Sequence, residues 1–402
     1  MANEILNNEE IERRYKLIAF YLPQFHTIPE NDEWWGKGFT EWVNVRGAKP
    51  LFEGHNQPRV PYANNYYDLS KVETLKWQCE LARKHGIYGF AMYHYWFNGH
   101  LLLEKPMEML LAHPEIDINY CISWANHDWT DAWKAKDRAP RTLIALDFDD
   151  EQDWVDHFNY MLPFFKDKRY IKEDNKPMVI IYIPNVIGKL NKMLDLWTEM
   201  ARKEGFEGLS FVYQYAQSAV DTSWDRSRFS HGIEMNPQYI NLVTKSQAEP
   251  QVQLASFRLL KIIKKVKKFL GIQRSLYWAN YKKHDEVRRV DYDICWQEII
   301  AHKPADGTML PCAFTDWDNT PRHQSNGYLY DGVTPEKFKK YFKELLEKSD
   351  KEYASEYIFI FAWNEWAEGG YLEPDEKYGS AFLEAIRDSL TEMVKTPLRS
   401  GK

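Results

Sequence analysis

Eight short apolar runs, each of strand length and most separated by helical patterns, constrain this chain more than any other feature. They are Leu17–Phe25, Ile87–Tyr95, Asn119–Ala125, Met178–Ile183, Leu209–Tyr215, Gly232–Met235, Met309–Thr315 and Tyr357–Trp363. Runs of this kind, rich in Val, Ile, Phe and Tyr, read as strands buried on both faces. The stretches Glu151–Phe165, Leu190–Lys203, Thr334–Lys348 and Ser380–Val394 read as helices, as does a segment ending near Gly86 that opens on the capping-box pattern Ser70-Lys71-Val72-Glu73. Thr334 is placed to cap its helix, with Pro335 in the first turn. The alternation predicts an α/β fold, a (β/α)8 barrel, with a doubly wound open sheet as the alternative. Residues 1–402 are expected to form one barrel domain, with long loops at the C-terminal face and an insertion between strands six and seven.

Two segments fall outside the repeating unit. Residues His26–Asp68 form a long connection with little regular pattern, the kind that usually serves as a functional loop or lid. Residues 238–304 read as an inserted helical segment. Within it, Phe257–Leu270 is basic and amphipathic. It reads either as a patch lying on an anionic membrane surface or as a barrel helix with a solvated lysine face.

Lys+Arg 52 against Asp+Glu 59 gives a net charge of −7, which argues against a nucleic-acid partner, since phosphate contacts need a basic footprint. Cys79, Cys121, Cys295 and Cys312 lie far apart without a C-x-x-C, so neither a disulfide framework nor a structural zinc site is signalled. The polar N-terminal stretch has no signal-peptide core, and no run is long and apolar enough for a membrane helix. A cytoplasmic location is expected, at the inner face of the membrane if the basic segment touches lipid.

Aromatic residues make up 15% of the chain, with 16 Trp and 25 Tyr, and many stand beside His, Asn, Asp and Glu. These mixed clusters fall at the C-terminal ends of the predicted strands, where barrel enzymes hold their sites. Rings that stack and polar edges that bond hydroxyls suit a carbohydrate. The candidate glycan contacts are His26, Glu41, Trp42, Tyr93, His94, Trp96, Trp124, Asn126, His127, Asp128, Trp129, Tyr213, Gln214, Asp316, Trp317, Asn364 and Trp366. For His26, His94, Glu41 and Trp42 a purely structural role is the alternative. His94, His127, Asp128 and Asp316 lack metal-motif spacing, so no metal and no cofactor are expected.

The candidate catalytic residues lie in Phe361-Ala362-Trp363-Asn364-Glu365-Trp366-Ala367-Glu368-Gly369, where the last strand runs out. Cleavage of a glycosidic bond needs two carboxyl groups, one giving a proton and one taking a proton or attacking. Glu365 and Glu368 can serve one bond only if the chain leaves strand geometry near Trp366. Residues i and i+3 face opposite sides of a strand but are neighbours on a turn. Gly369-Gly370 permits that turn. If Glu368 is the acid, Trp363, Trp366 and the charge of Glu365 would raise its proton affinity.

Longer motifs add a resemblance. The stretch AFYLPQFHTIPENDEWWGKGFTEWVNVRGAKPLFEGHNQPRVP at 19–61 resembles the signature of the WbsX-like family of bacterial O-antigen and capsule gene sets. So do YYDL at 66–69, GIYGFAMYHYWFNG at 86–99, ISWANHDWT at 122–130 and WNEWAEGGYLEPD at 363–375. The match covers nearly the whole chain. That family is similar to glycoside hydrolase family 99, the endo-α-mannosidases and endo-α-mannanases, which are retaining, cofactor-free (β/α)8 barrels. The resemblance implies that Glu365 acts as a base on the sugar's own 2-hydroxyl. It implies that Glu368 is the general acid on the leaving oxygen and then the base for water. Ala367 stands where those hydrolases usually carry histidine. The family label implies a second function, a glycosyltransferase using an activated donor. Asp316-Trp317-Asp318 has the D-x-D form some transferases use, but at a predicted strand end and without a Gly-rich phosphate loop. A non-catalytic glycan-binding barrel is the third. The expected partner is an oligosaccharide or a lipid-linked glycan, and the oligomeric state is open.

Overall fold

The computed structural model describes residues 8–132, 139–248 and 287–396. Eight parallel strands form the barrel: β1 (Lys16–Tyr21), β2 (Gly89–Phe97), β3 (Asn119–Trp124), β4 (Lys176–Ile181), β5 (Ser210–Tyr213), β6 (Phe229–Ile233), β7 (Met309–Leu310 and Cys312–Phe314) and β8 (Tyr357–Phe361). Strands adjacent in this order pair side by side, and β1 pairs with β8, Lys16 opposite Tyr357. Closure runs through β7, which Pro311 divides. Its first half pairs with β6 and its second with β8. Proline has no N–H for the ladder. Its carbonyl still accepts from Phe359 N at 2.9 Å, so the strand changes partner at the interruption. The eight expected runs thus form the closed barrel rather than the open sheet.

Side chains alternate between the barrel interior and the helices outside. Inside, Phe20 stacks against Tyr93 and Phe359 at 5.7 and 5.5 Å. Outside, Trp296 stacks between Phe314 and Tyr341 at 5.2 and 5.7 Å, joining helices Tyr292–Ala301 and Pro335–Glu352 to β7. Large apolar side chains buried this fully contribute roughly 1.5–3 kcal/mol each.

Helices Val72–Lys84, Glu151–Lys166, Leu190–Lys203, Pro335–Glu352 and Ala381–Lys395 fall on the expected segments. Thr334 Oγ1 accepts from Lys337 N, with Pro335 in the first turn. The capping box at Ser70 does not form. Lys71 holds the capping position, and the Ser70 N–H donates to Asp68 Oδ1 at 2.8 Å, so the entry to that helix is an aspartate turn. The connection after β1, expected to be irregular, contains helices Pro29–Trp35 and Glu41–Gly47. Between β6 and β7 lie helix Gln238–Ala248, a strand Arg288–Asp291 pairing with Tyr328–Asp331 outside the barrel, and helix Tyr292–Ala301. The basic segment Phe257–Leu270 lies outside the described residues. Among the described residues no helix is long and apolar enough to cross a membrane.

Candidate active site

The loops beyond the C-terminal ends of the strands enclose a cavity of about 490 Å³. Its floor is set by the segment after β8. Asn364 and Glu365 form a short strand with Gly370 and Tyr371, Trp366–Glu368 make a 3-10 turn, and Gly369 takes φ +73°. The chain therefore leaves strand geometry at Trp366, and Glu365 and Glu368 both line the cavity. Gly369 is required on two counts. Its φ suits glycine, and a Cβ there would stand 2.7 Å from Asp318 N. That close approach lets Asp318 N donate to the Glu368 carbonyl at 2.7 Å.

Polar contacts brace the turn from behind. Asn364 clasps the backbone after β1, its Oδ1 accepting from Leu22 N at 2.7 Å and its Nδ2 donating to Leu22 O at 2.9 Å. Trp366 Nε1 donates to Glu373 at 2.7 Å, and Gln78 and Tyr67 donate to the same carboxyl at 2.6 and 2.8 Å. Burial pushes Glu373 up to about 7 in spite of these donors.

In front of the turn stands Arg322, on the short helix Thr320–His323 after β7. Its Nη1 meets Glu368 Oε1 at 2.6 Å, and its Nη2 lies 3.3 Å from Glu41 Oε2 and 3.6 Å from Glu365 Oε2. Two loops thus bring three carboxyl groups to a guanidinium carried by a third. Burial raises the proton affinity of Glu365 first, and the neighbouring charge of Glu368 adds to it, against the pull of Arg322. Burial and Glu41 raise Glu368 too, again against Arg322. Glu365 Oε2 is buried without a hydrogen-bond partner, whereas Glu368 has the short contact to the cation. These contacts favour Glu365 as the holder of a proton shared by the pair.

The walls come from several strand ends. Tyr93 and Tyr95 point inward from β2, and Gln214 after β5 donates to Tyr93 Oη at 2.8 Å while accepting from Ser123 Oγ at 2.9 Å. Trp129 and Trp317 also line the cavity. Burial lowers the proton affinity of His127, and burial with Arg322 lowers His323 to about 4, so both are neutral at pH 7.

Of the residues expected from sequence, Glu41, Tyr93, His127, Asp128, Trp129, Gln214, Trp317, Glu365 and Glu368 meet in this cavity. Others do not, and strand alternation is the main reason. His94 and Trp96 face outward from β2, where His94 contacts His157 at 2.9 Å and Trp96 donates to Asp153 at 2.9 Å. Trp124 packs outward on His157 and Trp197, and Tyr213 on Trp224 and Phe229. Asn126 ties down a loop through Ile183 N and O. Trp42 packs between Phe25 and Trp366 and donates to Tyr67 O, and His26 is buried beside it in a separate hollow. Asp316 pairs with Arg59 at 2.7 Å, away from the cavity. Asn364 and Trp366 brace the turn. Sequence reasoning missed Arg322, Tyr95, Gln24, Tyr182 and Tyr215. Two-residue spacing from Tyr93 was a signal for Tyr95. Thr320-Pro321-Arg322-His323 carries no local signal for Arg322. Among the described residues no group of three or more His, Cys, Asp or Glu side chains could hold a metal ion.

The model of the family described as Glycosyltransferase WbsX matches residues 17–386. The chain belongs to the WbsX family. Two curated relatives, the uncharacterized protein WxcX from two strains of Xanthomonas campestris pv. campestris, are each 31% identical over 377 residues, which is 93% of this chain and 49% of theirs. The chain thus spans about half the length of the curated relatives it matches. Among solved structures, the GH99 endo-α-mannosidase from Bacteroides thetaiotaomicron superposes with a TM-score of 0.52 at 12% identity, over 94% of this chain and 97% of that one. The enzyme in complex with bis-tris propane gives 0.51. A glycoside hydrolase-like protein gives 0.52 at 13% identity, over 94% of each chain. At such identities the likeness shows the fold. This WbsX-family chain is a TIM barrel built like those of GH99.

Proposed function

We propose that this WbsX-family protein is a retaining endo-glycosidase-like enzyme of bacterial surface-polysaccharide metabolism, using Glu365 and Glu368 as its catalytic pair. The observation that carries the proposal is the pair itself: two carboxyl groups on one turn at the C-terminal end of the barrel, both with raised proton affinity, one beside a cation and one without a partner. A group that gives a proton to the leaving oxygen and a group that removes one are what cleavage requires. In the roles implied by the family resemblance, Glu365 takes the proton of the sugar's 2-hydroxyl, whose oxygen then attacks the anomeric carbon. Glu368 protonates the departing oxygen and afterwards takes a proton from the water that attacks the anomeric carbon, while Glu365 returns its proton to the 2-oxygen as that bond breaks. Those roles need the acid proton on Glu368 when the bond breaks. In the free protein Arg322 favours the opposite arrangement, so the mechanism includes a proton shift within the pair as the sugar enters. Trp129 and Trp317 offer stacking faces, and Tyr93, Tyr95 and Gln214 offer hydroxyl partners. An oligosaccharide or lipid-linked glycan at the cytoplasmic face of the membrane is the substrate in this proposal. The name of the structural neighbours makes α-mannosides the first to try.

The family's description as glycosyltransferases favours a second reading, transfer from an activated sugar donor. Product analysis separates the two, using surface polysaccharide and its lipid-linked repeat with and without nucleotide sugars, on the parent protein beside Glu365→Gln and Glu368→Gln. Shortened glycans formed without a nucleotide sugar and lost in both variants are expected. Extension that occurs only with a nucleotide sugar would replace the proposal by the second reading.

A further inference from the structure

The floor of the cavity has an unusual charge arrangement. Glu41, Glu365 and Glu368 all line it, and Arg322 is the one Lys or Arg among the described lining residues. Arg322 is not free to meet a ligand. Its Nη1 donates to Glu368, its Nε donates to Glu41 at 3.3 Å, and its Nη2 lies between Glu41 and Glu365. His127 and His323, the lining histidines, are neutral at pH 7. Tyr93, Tyr95 and Tyr182 face the same pair and stay protonated. Even with one proton shared by Glu365 and Glu368, the floor carries more negative than positive charge, in a buried setting where screening is weak.

We propose that Glu41 and Arg322 are charge-selecting residues: by occupying the guanidinium, Glu41 keeps the catalytic floor closed to anions, so the sugar ring cleaved there carries no carboxylate or phosphate. The substrate is then a glycan that is uncharged, or protonated on an amine, at the cleaved linkage. A nucleoside diphosphate sugar, whose phosphate is bonded to the reacting carbon, is excluded. Anionic groups further along the glycan are not restricted. Because the floor is taken as the place of cleavage, the inference rests on the function proposed above.

Binding tests it without needing turnover. Calorimetry and tryptophan fluorescence would be run at pH 7, with and without magnesium. The probes are protonated iminosugars and methyl hexosides of gluco, manno and galacto configuration, the matching uronates, UDP-glucose, GDP-mannose and inorganic pyrophosphate. The expected order is iminosugar first, then the neutral hexoside, with uronates, nucleotide sugars and pyrophosphate at least about tenfold weaker, which is about 1.4 kcal/mol. Glu41→Gln, which frees one side of Arg322, should narrow the gap between uronate and hexoside by about tenfold. Arg322→Gln should leave anion binding absent. Three results would overturn the inference: anions binding the parent as tightly as neutral sugars, a gap unchanged in Glu41→Gln, or no iminosugar binding at all. A protein that shows this selectivity yet cleaves nothing would refute the glycosidase function and leave the charge selection standing. One that cleaves beside a uronate would do the reverse.

Discussion

Two carboxylate–arginine clusters stand side by side at the C-terminal end of the barrel, and they are built in opposite ways. In the first, Asp318 accepts from Gln57 at 2.7 Å and Thr320 Oγ1 at 2.6 Å, lies 2.9 Å from His55 Nε2, and has Arg59 nearby at 3.7 Å. Burial alone would raise its proton affinity, but His55, Arg59, Thr320 and Gln57 hold the carboxyl well below the usual range. In the second, Glu41, Glu365 and Glu368 share Arg322, Glu365 Oε2 has no hydrogen-bond partner, and the pair is pushed upward. The first cluster fastens the long loop after β1 to the loop after β7. The second leaves Glu365 Oε2 unsatisfied in the cavity. A satisfied buried charge stabilises a fold, whereas an unsatisfied one is a cost that persists where function requires it.

The contrast breaks or sharpens with four measurements. The largest expected effect is on activity: Glu365→Gln or Glu368→Gln should lower kcat roughly 10²–10⁴-fold without lowering the urea midpoint below that of the parent. A variant with undiminished turnover would remove that glutamate from the catalytic pair. Next, Asp318→Asn should lose about 3 kcal/mol of stability, because it leaves donors and Arg59 facing a neutral amide. Its folded fraction should keep most of its activity. If activity falls as far as in the glutamate variants, the two clusters are one.

The third measurement is stability against pH. The Glu365 carboxyl is raised in the folded protein above its ordinary value near 4.5. Above that pH the unfolded chain releases the proton while the folded one retains it, so stability falls as pH rises through this window. Glu365→Gln lacks the effect, so its advantage over the parent should grow from pH 4.5 upward. Asp318 has the opposite sign. Its contribution is present above its ordinary value near 3.8 and is lost as pH falls below it, so the parent's advantage over Asp318→Asn should shrink there. Urea titrations at pH 2.5, 4, 6 and 8 would read both, and parallel curves would contradict the contrast. Smallest is Thr320→Ala, which removes one hydrogen bond to Asp318 and should cost about 1 kcal/mol. A loss above about 3 kcal/mol would mean that Asp318 depends on that hydroxyl more than on Arg59 and His55.

The same contrast explains which residues were legible in the chain alone. Glu365 and Glu368 were legible because they sit in one short stretch with tryptophans and a Gly-Gly behind them. Asp316, Trp317 and Asp318 looked like one motif, yet Trp317 lines the cavity while both aspartates turn to Arg59. His94, Trp96, Trp124 and Tyr213 looked like site residues because they stand at strand ends beside residues that are. The two-residue alternation assigns neighbours to opposite faces, and the inward face only becomes known when one residue is fixed in space. Glu41 and Arg322 are 281 residues apart in the chain and meet at 3.3 Å.

By itself the sequence determined the barrel, since eight strand-length runs alternating with amphipathic helices have few other ways to bury their apolar surface. It also determined the turn after β8, because Gly369 can take a positive φ that other residues resist. The tertiary structure decided which side chains face the cavity and which carboxyl groups share a cation. Those depend on the phase of each strand and on loops hundreds of residues apart converging at one end of the barrel, and proton affinity follows from that burial and convergence rather than from residue type.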